Sequence, residues 1–81
     1  MLMTNRLRRL VFTLRDGDEF IPLIQLLKAA GMVETGSEAQ EVVTAGLVSR
    51  NGEIETRKRA KIRVGETIRL WDMEVEVEAG N

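Results

Sequence analysis

The 81-residue chain contains no cysteine, no histidine and no tyrosine, and only one proline and three aromatic side chains. Without cysteine there is no disulfide framework, no thiolate nucleophile and no sulfur cage for a metal. Without histidine most zinc sites and most hydrolytic triads are excluded as well. No apolar run approaches the roughly 18 residues that span a bilayer, and Met1–Arg9 has charges without the apolar stretch of a signal peptide. A cytoplasmic address with no membrane contact is expected. What is present, 43% hydrophobic and 31% charged residues, fits a folded soluble domain. A chain of this size buries only about 60–65% of the surface its unfolded form exposes, so its core is thin and surface binding is favoured over a deep cavity. The expectation is one domain over residues 1–81, monomeric, with no small-molecule substrate and no cofactor.

The formal net charge of -1 hides a strong asymmetry. Residues 49–64 hold Arg50, Arg57, Lys58, Arg59, Lys61 and Arg63 against Glu53 and Glu55, while residues 65–81 hold Arg69 against Glu66, Asp72, Glu74, Glu76 and Glu78. Five of the seven positions from Arg57 to Arg63 are cationic with no acid among them. That is a local positive field which an overall pI near 5.5 does not suggest. Charge that merely shields an edge strand needs one or two lysines, so an anionic partner accounts for the run better.

Leu10, Phe12 and Leu14 alternate with Val11 and Thr13 and read as a short strand, closed by the turn Asp16-Gly17-Asp18. Pro22 suits a first helical turn. Leu23, Ile24, Leu26, Leu27 and Ala30 then form an apolar stripe opposite Gln25, Lys28 and Ala29, and Gly31 supplies the stop. Thr35-Gly36-Ser37-Glu38 has the spacing of a capping box, which starts a second helix whose Ala39, Val42 and Val43 share one face before Gly46 ends it. From Leu47 the period changes to two. Leu47–Arg50 and Glu53–Glu55 flank Asn51-Gly52, the pair that tolerates a tight primed turn. Further strands are expected over Ala60–Val64, Thr67–Trp71 and Met73–Val77, with Met1–Asn5 and Ala79–Asn81 as frayed ends. The fold class is α+β: two helices packed on a small antiparallel sheet, with a short N-terminal strand.

Other chemistries find little support. Gly31, Gly36, Gly46, Gly52 and Gly65 fit no phosphate-loop or dinucleotide pattern, and each has a turn or cap explanation. Glu74, Glu76 and Glu78 alternate as an exposed strand face would, which explains them more plainly than metal ligation does. Asp16, Asp18 and Glu19 lack calcium-loop spacing. No residue pair resembles a nucleophile with its base, so no catalytic residue is expected. Phe12 and Phe20 read as core residues, whereas Trp71, before Asp72 at a turn, could cover the core or offer a stacking surface.

The ordered set Leu23-Ile24-Gln25-Leu26-Leu27-Lys28, Gly31, Thr35-Gly36-Ser37-Glu38-Ala39, Gly46-Leu47-Val48, Asn51-Gly52-Glu53 and Lys61-Ile62-Arg63-Val64-Gly65-Glu66 resembles the RNA-binding domain named after ribosomal small-subunit protein four, the S-four domain. The resemblance covers about residues 20–70 and is closest to short stand-alone bacterial members. It implies the alpha-L motif as the RNA-binding fold, with structured rRNA or tRNA as partner and the ribosome as a setting. Carried over by position, it implicates Thr35, Ser37, Gln40 and Thr44 on the helix side and Arg50, Asn51, Arg57, Lys58, Arg59 and Lys61 on the sheet side. The chain departs from the family pattern in three places. Phe20-Ile21-Pro22 stands where many members are basic, Glu38, Gln40 and Glu41 occupy a helix that is often basic, and Arg50 replaces an apolar residue before Asn-Gly.

Phosphates dominate RNA affinity, and guanidinium forks match their oxygens, so the sheet-side cations carry the expected attraction. With so few aromatics, shape and backbone recognition is expected over base reading. The alternative from another class is a protein-interaction module whose basic hairpin meets an acidic partner.

Overall fold

The computed structural model describes residues 6–80, so the fraying expected of Met1–Asn5 and Asn81 lies outside the described residues. The elements are β1 (Arg8–Thr13), β2 (Phe20–Pro22), α1 (Leu23–Ala29), α2 (Gly36–Thr44), β3 (Val48–Arg50), β4 (Glu53–Ile54), β5 (Lys61–Arg63), β6 (Thr67–Leu70) and β7 (Met73–Glu78). Five strands form one sheet in the order β1-β7-β6-β3-β4, and β2 pairs with β5 in a second, two-stranded sheet. Among the described residues, no helix is long and apolar enough to cross a membrane.

Local chemistry accounts for most of these elements. In β7, Met73, Val75 and Val77 are buried while Glu76 and Glu78 face water, the period-two pattern of a sheet covered on one side. At the β3–β4 turn Asn51 (φ 52°) and Gly52 (φ 89°) both occupy the left-handed region that a two-residue primed turn requires. In α1 the apolar stripe buries Leu23, Leu26 and Leu27, and α2 buries Ala39, Val42 and Val43 against the same core. The Thr35 hydroxyl accepts from the Glu38 N–H at 3.0 Å, as the capping box predicts. The Glu38 carboxylate instead accepts from the Glu34 N–H at 3.0 Å, one residue further back than the reciprocal bond of the box.

Three features differ from the sequence reading. The sheet is mixed: β1 runs parallel to β7, in register from Arg8 opposite Met73 to Thr13 opposite Glu78. A parallel pair needs a long crossover, and here the whole intervening chain, both helices included, supplies it. Pro22 lies before the helix, at the N-cap with extended backbone (φ -62°, ψ 143°), and ends β2. Phe20, expected in the core, is half-buried outside the core cluster, whereas Phe12 does pack against it.

Pro22 offers no side-chain cap to α1. The first amides of that helix donate to a loop some 35 residues downstream, Leu23 N–H to the Ala60 carbonyl at 2.9 Å and Ile24 N–H to the Lys58 carbonyl at 3.2 Å. Helix donors that would otherwise be orphaned are satisfied by the basic loop, which is thereby pinned to the helix start.

Candidate nucleic-acid interface

The cationic run folds into a turn followed by a strand. Ala60 N–H donates to the Arg57 carbonyl at 3.2 Å, which closes a four-residue turn with Lys58 and Arg59 at its exposed apex. In β5 the buried Ile62 pairs with the buried Ile21 of β2, so alternation sends Lys61 and Arg63 to the opposite, solvent side. There they meet Phe20: the Lys61 ammonium lies 5.0 Å and the Arg63 guanidinium 5.7 Å from its ring centroid. A ring face attracts cations within about 6 Å, so Phe20 holds both charges in place while leaving them accessible.

Arg50, Arg57, Arg59, Lys61 and Arg63 together line one open cleft of about 490 Å³. Arg59 also lines a neighbouring concavity of about 460 Å³ with Lys28, Gly36 and Gln40, at the start of α2. The Lys28 chain lies against that glycine, its Cδ 3.9 Å from where a Cβ would stand. The positive side chains therefore gather into one belt that reaches the opening turn of the second helix, and the carboxylates of β7 do not pair with it.

Two acids inside the belt organise it. Glu55 is buried, its side chain 10% exposed, and accepts from the Arg57 N–H at 2.9 Å, from Arg57 Nε and Nη2 at 3.0 Å each, and from Arg50 Nη1 at 3.4 Å. The Arg57 hydrogen bonds are the main reason its pKa falls to about 2 from 4.5. Glu66 accepts from Arg50 Nε at 3.0 Å, Arg50 Nη2 at 2.8 Å, Asn51 Nδ2 at 3.1 Å and the Arg63 N–H at 2.8 Å. The Arg50 bonds are the chief cause of its lowered pKa, and they raise that of Arg50 in turn.

The ten residues singled out from the sequence divide accordingly. Lys58, Arg59 and Lys61 are exposed without an ion pair to another described residue, and Ser37 and Gln40 are exposed on α2. Arg57 binds Glu55 yet keeps a side chain 73% exposed. Arg50 lines the cleft with a side chain 20% exposed, and its guanidinium bonds Glu66, Glu55 and the Lys61 carbonyl, the last at 2.8 Å. Asn51 is exposed, and its amide oxygen accepts from the Thr67 N–H at 3.0 Å. Thr35 caps α2, and the Thr44 hydroxyl donates back to the Gln40 carbonyl at 2.9 Å. The contact set drawn from the sequence lacked Arg63, Lys28 and the Phe20 ring. Alternation about Ile62 could have placed Arg63 beside Lys61, whereas Phe20 and the roles of Glu55 and Glu66 depend on contacts between distant segments.

The family model described as the S4 domain matches residues 12–78. YbcJ of Escherichia coli (strain K12) is 39% identical over 59 residues, covering 73% of this chain and 84% of that protein, and YbcJ of Shigella flexneri matches to the same extent. The solution structure of Escherichia coli YbcJ, which has an alpha-L motif involved in RNA binding, superposes with a TM-score of 0.67 at 34% identity over 98% of this chain and 95% of that one. Two helices and a mixed sheet in this order, with the family match over most of its length, make the chain a member of the S4 domain family, with that family's RNA-binding fold.

Proposed function

We propose that the protein acts by binding, not catalysis, and docks on structured RNA of the rRNA or tRNA kind through phosphate backbone and shape. The observation that carries the reading is the belt itself. Arg57, Lys58, Arg59, Lys61 and Arg63 stand exposed on one turn and one strand, held by Phe20 and by the inward-facing Glu55. Guanidinium and ammonium groups so arrayed match successive phosphates, and Lys28, Ser37 and Gln40 at the α2 side extend the contact with polar donors. Three aromatics in the whole chain favour recognition of shape over base reading across most of this surface. The involvement of the alpha-L motif of Escherichia coli YbcJ in RNA binding supports the same reading.

The test is a triple reversal of Arg57, Lys58 and Arg59 to Glu, assayed on a folded RNA hairpin and on total cellular RNA, with circular dichroism to check the fold. The folded triple variant is expected to lose RNA retention. Undiminished retention would overturn the reading and favour an acidic protein as partner of the belt.

A further inference from the structure

Trp71 lies apart from the belt. It begins the two-residue turn between β6 and β7, at the opposite end of β6 from Thr67, whose carbonyl and N–H bond to Asn51. At a strand rise of about 3.3 Å per residue, that separation is roughly 13 Å. Two observations distinguish it. The residue is 53% exposed, in a chain with only three aromatics, and its backbone sits at φ 56°, a conformation that bulky residues rarely adopt. Asparagine or glycine would occupy that turn without strain, so neither burial nor turn geometry accounts for a tryptophan there. Strained backbone of this kind concentrates at binding sites.

The surroundings indicate a ligand class. Trp71 lines a concavity of about 240 Å³ with Arg6, Leu7, Arg69 and Asp72. Neither Arg6 nor Arg69 forms an ion pair with another described residue, although Glu74 stands opposite Arg69 in the strand register. An exposed indole sharing a concavity with two arginines suits a nucleobase with its flanking phosphates. The Asp72 carboxylate at the same concavity disfavours a phosphate on its own side and accepts from base N–H donors.

We infer that Trp71, with Arg6 and Arg69, forms a second RNA contact that stacks one unpaired nucleotide adjoining the structured element held by the belt. The inference deepens the RNA-binding reading and rests on it. Trp71 is the only tryptophan and the chain has no tyrosine, so intrinsic fluorescence reports on this one side chain.

The experiment compares a blunt RNA hairpin with the same hairpin carrying an unpaired 3′ run of adenines. The wild type is expected to bind the extended hairpin more tightly and to show tryptophan quenching with it. Trp71→Ala should lose about 5- to 150-fold in affinity for the extended hairpin, the range of one base–aromatic stack, with little change on the blunt one. Trp71→Phe, which keeps a ring, should retain most of the difference, and thermal melts of both variants control for folding. Equal affinity of Trp71→Ala and wild type for the extended RNA would overturn the inference and leave the tryptophan to a protein contact. Equal losses on both RNAs would overturn it in favour of a general structural role. A wild type that binds both hairpins alike, without quenching, would overturn it and leave the RNA-binding reading standing. A wild type that binds neither would overturn both.

Discussion

Glu55 is the acid on which the basic turn is built. Its carboxylate holds the Arg57 amide and guanidinium and touches Arg50, and its pKa falls to about 2 from the ordinary 4.5. A carboxyl whose pKa is depressed in the folded state favours folding while ionised. Its contribution is complete above about pH 4.5, declines as the pH falls toward 2, and is gone below that. Urea unfolding at stepped pH should therefore show the stability gap between wild type and Glu55→Gln closing across this window. A gap that stays constant from pH 6 to pH 2 would contradict the assignment. The residue was visible in the sequence only as an acid that lowered the local charge. Its task depends on the tight Glu55–Arg57 spacing combined with burial, and burial is set by segments far away in the chain.

At the scale of elements, hydrophobic period and turn chemistry make both helices, the Asn51-Gly52 hairpin and the strands near β5, β6 and β7 legible in the sequence. The strand β2 was not legible, because three residues ending in Pro22 carry no periodicity and its partner β5 lies about 40 positions on. The parallel β1–β7 pairing escaped for the same reason: alternation marks a strand but does not name its neighbour. Arg50 illustrates the consequence for the site. Counted along the sequence it was one more cation; in the fold its guanidinium ties β3 to the β5 carbonyl of Lys61 and to Glu66 in the turn before β6. Removing one partner of a partly buried charged network costs about 1–3 kcal/mol, so Arg50→Ala should lower unfolding stability by that amount. Removal of Lys58 should leave stability within about 0.5 kcal/mol, as for an exposed surface residue. Denaturant midpoints decide between them, and an Arg50→Ala variant as stable as the wild type would return Arg50 to the surface contacts.

For the whole molecule, the near-neutral net charge conceals a division of labour. The belt occupies the two-stranded sheet and its preceding turn, while Glu74, Glu76 and Glu78 project from the other face of β7 in the five-stranded sheet. Each phosphate neutralised releases counterions, so the number of engaged cations can be read from salt dependence. Arg57, Lys58, Arg59, Lys61 and Arg63 make five. The most direct test is the affinity of the wild-type protein for a folded RNA hairpin across a range of monovalent salt. A belt engaging about five phosphates predicts a slope of log K against log salt of roughly -3.5 to -4.5, whereas a slope near zero would contradict it.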